Sequence, residues 1–173
     1  MKNEQKYTIF RVSCGFFAIL GANGAVFRTF LPTKNKDDCV RNVLNTPPGA
    51  IVDNLCFLDT AELVKAYYDG VCVDFSKVRV NLDNKTEFSK KVLTTLRTVK
   101  YGQTITYGQL AQKCGHPGAF RAVGTVLANN KIPLIIPCHR VIKSTGEIGN
   151  FSAEGGSATK QEMLDLELLH NRT

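Results

Sequence analysis

Ile136-Pro137-Cys138-His139-Arg140-Val141-Ile142 closes the apolar run Ile132–Ile136 with a thiol, an imidazole and a guanidinium side by side. Proline removes a backbone donor and holds Ile136 extended, so Cys138 is expected where a buried strand must stop or bend. A thiol attacks as its thiolate, and a neighbouring base with a fixed positive charge is how a protein makes one. The stretch therefore reads as a reactive group held rigidly at a strand end. The competing reading is a small buried hydrophobe, the commonest fate of a lone cysteine. In an extended strand adjacent side chains point to opposite faces. Cys138 and His139 could then communicate only through a water or across a bend.

Upstream, Thr86 opens an amphipathic helix with Phe88, Val92, Leu93, Leu96 and Val99 inward, ending at Tyr101-Gly102. Thr106 is a good N-cap for Tyr107–Cys114, and Gly115-His116-Pro117-Gly118 turns the chain into a second short helix, Ala119–Ala128. Two short helices joined by a tight turn predict a helix-turn-helix. On the second helix, Phe120, Val123, Val126 and Leu127 are expected inward. Arg121, Gly124, Thr125 and Ala128 share the outer face. Glycine inside a helix costs about 1 kcal/mol against alanine, so Gly124 needs a reason. Close approach to DNA is one, and packing against a neighbouring helix is the other. Asn129-Asn130 can end the helix in the left-handed region, and Asn130 can bond backbone across the turn.

Charge points the same way. Residues 84–173 carry 12 basic and 6 acidic groups, against 10 and 9 in residues 1–83, and no acidic residue lies between Phe88 and Gly146. One sign of charge around a candidate nucleophile suggests a polyanion, nucleic acid by default, with a merely solvated basic surface as the alternative. A membrane partner is not expected, since no basic amphipathic helix stands alone and no run of about eighteen apolar residues occurs. Met1 to Thr8 has no apolar signal core, so the expected location is intracellular. The six cysteines show no Cys-x-x-Cys pair and there are three histidines, which predicts reduced thiols and no recognisable zinc site.

Residues 1–83 read as a small α/β unit. Apolar clusters in residues 7–31, interrupted by Gly15 and Gly21–Gly24, predict a three-stranded antiparallel meander. Asp37 or Asp38 could cap a helix through Leu44 that Pro47-Pro48-Gly49 ends. Asp59-Thr60 could cap Ala61–Tyr68, a short strand near Val71–Val73 could follow, and Val78–Lys85 reads as an extended linker.

Pro137-Cys138-His139-Arg140-Val141, preceded by Arg121-Ala122-Val123-Gly124 and Asn130, strongly resembles the O6-alkylguanine-DNA alkyltransferase family from about Phe88 to Glu167. The resemblance implies an α+β protein: a ribonuclease H-like α/β domain over residues 1–83, then a mainly helical domain with a winged helix-turn-helix over residues 84–173. Related binding-only proteins carry tryptophan where Cys138 stands, so transfer is the implied activity. Cys138 would accept the alkyl group from O6-alkylguanine, or O4-alkylthymine, irreversibly and once per molecule. His139 would be the base through a bridging water, Glu167 would orient it, and Asn130 would brace the site as a hinge.

The resemblance further implies that the damaged base leaves the stack, as its chemistry requires. Arg121 would fill the vacated space, and Tyr107 would lie by the phosphate and protonate guanine N3. Ala122, Gly124, Thr125 and Ala128 would face the DNA. Val141, Gly149, Asn150, Phe151, Ser152 and Lys160 would form the base site, with Ser152 bonding O6 and Phe151 stacking. The implied partner is double-stranded DNA, bound in the minor groove with little sequence preference by a monomer, without cofactor or metal. Lys160, Leu164 and Glu167 share one helix face, which independently suggests that Glu167 is partly buried and partnered, a surface ion pair being the alternative. Two other functions compete: a cysteine hydrolase, which would turn over without DNA, and a winged-helix module with a structural cysteine, whose DNA binding would survive blocking the thiol.

Overall fold

A computed structural model describes residues 4–46 and 49–170. The chain divides between Asn81 and Leu82 into two compact units.

The first unit is built on an antiparallel meander, β1 (Lys6–Val12), β2 (Gly15–Ala22) and β3 (Ala25–Thr33), with β4 (Ile51–Val52) added parallel to β1, giving the order β3-β2-β1-β4. The β2–β3 turn is made by Asn23 and Gly24, both at positive φ, whose twist matches that of a two-residue hairpin. Phe17, Ala18, Ile19 and Leu20 of β2 are all buried. A continuous apolar run marks a strand covered on both faces. Ala18 packs with Cys39 and Val43 of α1 (Lys36–Leu44), while the Phe17 ring lies 6.2 Å from that of Tyr68 in α2 (Leu58–Tyr68).

Several local expectations are corrected here. Asn35, not Asp37 or Asp38, caps α1: its side chain accepts from the Asp38 N–H at 2.9 Å, and the aspartates instead occupy the first turn, where the helix dipole favours them. Helix α1 ends at Leu44, and the Pro47-Pro48 pair expected to stop it lies outside the described residues. Helix α2 begins at Leu58 without an Asp59-Thr60 cap, because Phe57 enters it left-handed (φ 60). A side chain on Gly21 would collide with the Phe57 ring, so tertiary packing here overrides capping preference. Val71–Val73 forms no strand. The expected linker is partly structure: Val78 is buried, Val80 bridges Val26, and the Asn81 N–H donates to Val26 O at 2.8 Å.

The second unit starts with α3 (Glu87–Leu96), capped by Thr86, whose side chain accepts from the Ser89 N–H. It stops well before Tyr101, in a turn that still buries Val99. The strand β5 (Ile105–Thr106) leads into α4 (Tyr107–Lys113), then α5 (Phe120–Ala128), then β6 (Val141–Ile142), parallel to β5, and finally α6 (Gly156–His170). Among the described residues no helix is long and apolar enough to cross a membrane.

Candidate active site

The apolar run before the cysteine is not a strand. Leu134 sits at φ 73, Ile136 N–H donates back to Ile132 O at 2.9 Å, and Cys138–Arg140 is a single 3-10 turn. This fold-back is pinned by one side chain. Asn130 Oδ1 accepts from the Ile132 N–H at 3.0 Å, and its Nδ2 donates to Ile136 O at 3.0 Å and lies 3.2 Å from Cys138 Sγ. Asn129, expected left-handed, has φ −99; the helix end is closed instead by its Nδ2 donating to Thr125 O at 2.9 Å and by the Asn130 bonds. A turn rather than a strand frees Cys138 and His139 from the alternation that would have set them on opposite faces.

His139 is fully buried and its Nε2 lies 2.7 Å from Glu167 Oε1. Glu167, also buried, is held by more than the histidine. Arg140 Nε donates to both carboxylate oxygens (3.2 and 3.0 Å), Arg140 Nη2 to Oε1 at 3.0 Å, and the Gly102 N–H to Oε2 at 2.9 Å. Arg140 Nη1 donates to Val99 O at 2.6 Å, which ties the turn after α3 to the cluster. The guanidinium expected to activate the thiol therefore serves the carboxylate. Burial alone would raise Glu167, but the hydrogen bonds from His139 and Arg140, with the Arg140 charge, outweigh it and bring the carboxyl down to about 2. Burial keeps His139 below its ordinary value despite Glu167, so the imidazole is neutral. An ionised carboxylate only accepts, so Nε2 carries the proton and Nδ1 is the basic nitrogen.

Burial likewise pushes the Cys138 thiol up, opposed by the Asn130 amide, the Lys160 ammonium and the backbone N–H groups of Cys138 and His139. The resting group is a thiol surrounded by groups that stabilise negative charge once it forms. Lys160 is fully buried on α6, donates to Val141 O at 2.6 Å, and lies 6.0 Å from the Tyr107 ring centroid.

Cys138 opens onto a cavity of about 480 Å³. Tyr107 enters from the start of α4, where a capping box sets the helix: Thr106 accepts from the Gln109 N–H and the Gln109 side chain from the Thr106 N–H. Burial raises its phenol, which keeps the hydroxyl protonated as a donor. Gly149, Asn150, Phe151 and Ser152 line the cavity as well. A Cβ on Gly149 would sit 2.5 Å from Tyr107 Oη, so only glycine leaves room for that ring. Gly124 and Ala128 of α5 also line the cavity, and a Cβ on Gly124 would meet only Tyr107, at 3.9 Å. Packing within the protein thus does not require that glycine.

The expected site residues are mostly brought together. Val141 and Lys160 are exceptions: both are buried, bonded to each other, and not among the cavity-lining residues. Arg121, Ala122, Thr125 and Ala128 are exposed on α5. Phe120, expected inward, is 47% exposed, with the Arg121 guanidinium 5.6 Å from its ring centroid. As the first helical residue it follows the Gly118–Ala119 turn; Val123 and Leu127 are buried on the inner face and Val126 is half-buried. Sequence reasoning missed Leu127 and Lys143 as lining residues and the role of Arg140. Lys143 could have been suspected from its place two residues beyond Val141. Among the described residues no group of three or more His, Cys, Asp or Glu is placed to hold a metal ion.

The family model described as 6-O-methylguanine DNA methyltransferase, DNA binding domain, matches residues 87–169. The methylated-DNA–protein-cysteine methyltransferase of Mycolicibacterium paratuberculosis is 38% identical over 116 residues, 66% of this chain and 67% of that protein. The protein of the same name from Methanosarcina acetivorans is 32% identical across 93% of this chain and 97% of its own length. The crystal structure of Mycobacterium tuberculosis OGT in complex with DNA shares the mixed α+β fold with a TM-score of 0.80 at 28% identity, covering 95% of this chain and 94% of that one. With a relative this similar over nearly its full length, the chain belongs to the methylated-DNA–protein-cysteine methyltransferase family.

Proposed function

We propose that this protein repairs DNA by direct reversal, moving the alkyl group of O6-alkylguanine, or of O4-alkylthymine, irreversibly onto Cys138. The observation that carries this reading is the cavity in which Cys138, Tyr107 and Phe151 meet, walled on one side by the small residues of α5 and backed by the His139–Glu167 pair. The thiol proton passes through a bridging water to His139, and the sulfur attacks the alkyl carbon. The C–O6 bond breaks, its electron pair goes to the purine, Tyr107 donates a proton to N3, and the proton taken up by His139 is released through water and restores the Tyr107 hydroxyl. Asn130 and Lys160 stabilise the sulfur's transient charge. Ser152 bonds O6, and Gly149 and Asn150 shape the base site, with Val141 buried beneath it. A thioether has no easy route back to a thiol, so each molecule acts once.

The base must leave the duplex to reach a buried sulfur. In this reading α4 and α5, with the turn between Ile142 and Ile148 as wing, form a winged helix-turn-helix within residues 84–173. Helix α5 enters the minor groove, Arg121 fills the vacated position, and Ala122, Gly124, Thr125 and Ala128 let the backbone approach. Contacts are mainly to the sugar–phosphate chain, so sequence preference is slight. Residues 1–83 form a ribonuclease H-like supporting domain, and the protein works as a monomer where DNA is kept: cytoplasm in a prokaryote, nucleus in a eukaryote.

The test is intact mass after incubation with duplex DNA holding one O6-methylguanine, beside Cys138→Ala. One added methyl group mapped to Cys138 and absent from the variant is the expected result. Lesion binding without any mass gain would make this a recognition protein. Several methyl groups removed per molecule would make it a turnover enzyme.

A further inference from the structure

We propose that Phe120 is a second DNA-contacting element: an apolar wedge that enters the minor groove beside the flipped nucleotide and holds the Arg121 guanidinium ready over its ring. The inference rests on the function proposed above and adds a residue to it. Three observations carry it. Phe120 is an exposed aromatic at the start of α5. It lies on one helical stripe with Gly124 and Ala128, at i, i+4 and i+8, and those two line the Cys138 cavity. With a rise of about 1.5 Å per residue, the ring stands roughly 6 Å along the axis from the cavity wall at Gly124, the distance to an adjacent base step or two. Arg121, the one charged residue in α5, has its guanidinium 5.6 Å from the ring centroid, within cation–π range.

The chemistry of the partner follows from that pairing. Apart from Arg121, the outer face of α5 offers only the small side chains Ala122, Gly124, Thr125 and Ala128, and the sequence from Phe88 to Gly146 is free of acid. A small, basic face with a single protruding ring suits a polyanion with an apolar interior, namely a duplex opened at one base step. Minor-groove proteins insert phenylalanine or leucine between base steps to stabilise an unstacked, bent duplex. The ring would replace stacking lost when the lesion leaves, and the guanidinium, ordered on it beforehand, would lose less freedom on entering the groove.

The experiment compares single-turnover transfer from an O6-methylguanine duplex with transfer from O6-methylguanine as the free base, for wild type, Phe120→Ala and Phe120→Tyr. Since the ring is half exposed, its truncation leaves the core intact. Phe120→Ala is expected to slow transfer from the duplex about tenfold, in line with losing a wedge contact and a cation–π pair. It should leave transfer from the free base unchanged, and Phe120→Tyr should match wild type on both. The dependence of duplex binding on salt should keep its slope, because no phosphate contact is removed. A duplex rate unaltered by Phe120→Ala, an equal loss on both substrates, or a changed salt slope would each overturn the proposal. If wild type transfers from neither substrate, the function itself falls and this inference with it. If wild type transfers from both and the alanine variant matches it, only the wedge falls.

Discussion

The two units bury different chemistry. Among the described residues, and setting aside the tyrosine and cysteine side chains of its apolar core, the buried polar side chains of the first unit are all threonines: Thr8, Thr29, Thr33, Thr46 and Thr60. Those of the second are Asn130, His139, Arg140, Lys160 and Glu167. A threonine hydroxyl can bond the nearest carbonyl and costs a core little. A buried charge costs several kcal/mol unless it is paired and hydrogen-bonded, and even then a hydrophobic replacement is often no less stable (about 1–4 kcal/mol in its favour). Stability alone therefore does not account for the second unit's interior, whereas charge control at the thiol of the proposed transfer does. The first unit is organised to fold, and the second carries its cost of burial at one place.

The sharpest way to break this contrast is Glu167→Gln. It should lower single-turnover transfer by on the order of 10²-fold, because the imidazole loses its orienting anion. It should also cost about 3–5 kcal/mol in urea unfolding, since Arg140 is left buried without a counter-charge. Near-wild-type values of both would mean that the buried cluster is dispensable. The complementary change in the first unit, Phe17→Ala, should cost about 3–5 kcal/mol of stability through the cavity it leaves. Its transfer rate per folded molecule should stay at the wild-type value, and a large fall in that rate would erase the division of labour.

Acid should separate the units next. Glu167 is depressed from 4.5 to about 2 in the folded chain, so its contribution is present above about pH 4.5 and is lost as pH falls toward 2. That shift corresponds to roughly 3 kcal/mol. His139 is also depressed by burial, so the folded state resists its protonation and stability begins to fall as pH drops below 6.5. Unfolding followed across pH should show both losses, and Glu167→Gln should remove the lower one. Arg140→Lys should raise the Glu167 carboxyl, since one ammonium cannot bridge both oxygens as the guanidinium does. The smallest effect is expected from Gly124→Ala: about 1 kcal/mol of added stability from helix propensity, with a few-fold slower transfer from duplex DNA as the methyl group enters the cavity. Unchanged transfer would detach Gly124 from DNA approach.

Much of this was legible in the residue order. The meander in β1–β3, the Thr86 and Thr106 caps and the inner face of α3 follow from local periodicity and capping chemistry, which need only a few neighbouring residues. The burial of Lys160, Leu164 and Glu167 on one stripe of α6 follows from helical spacing alone. Less legible were features set by residues far apart in the chain. Phe57 takes a left-handed helix entry because Gly21 leaves space for its ring. The turn that carries Cys138 replaces an expected strand because Asn130 folds the preceding chain back.

By itself, then, the amino-acid order determined that a cysteine, a histidine and a basic, acid-free segment belong to one α+β chain of recognisable family, since composition, periodicity and motif spacing are local properties. Only the tertiary structure decided where the charges go. Arg140, next to the histidine in sequence, is turned onto a carboxylate 27 residues away, while Lys160 is the cation that lowers the cost of a Cys138 thiolate. The reason is physical. Electrostatic partnership depends on distance and burial, and neither is encoded in adjacency along the chain.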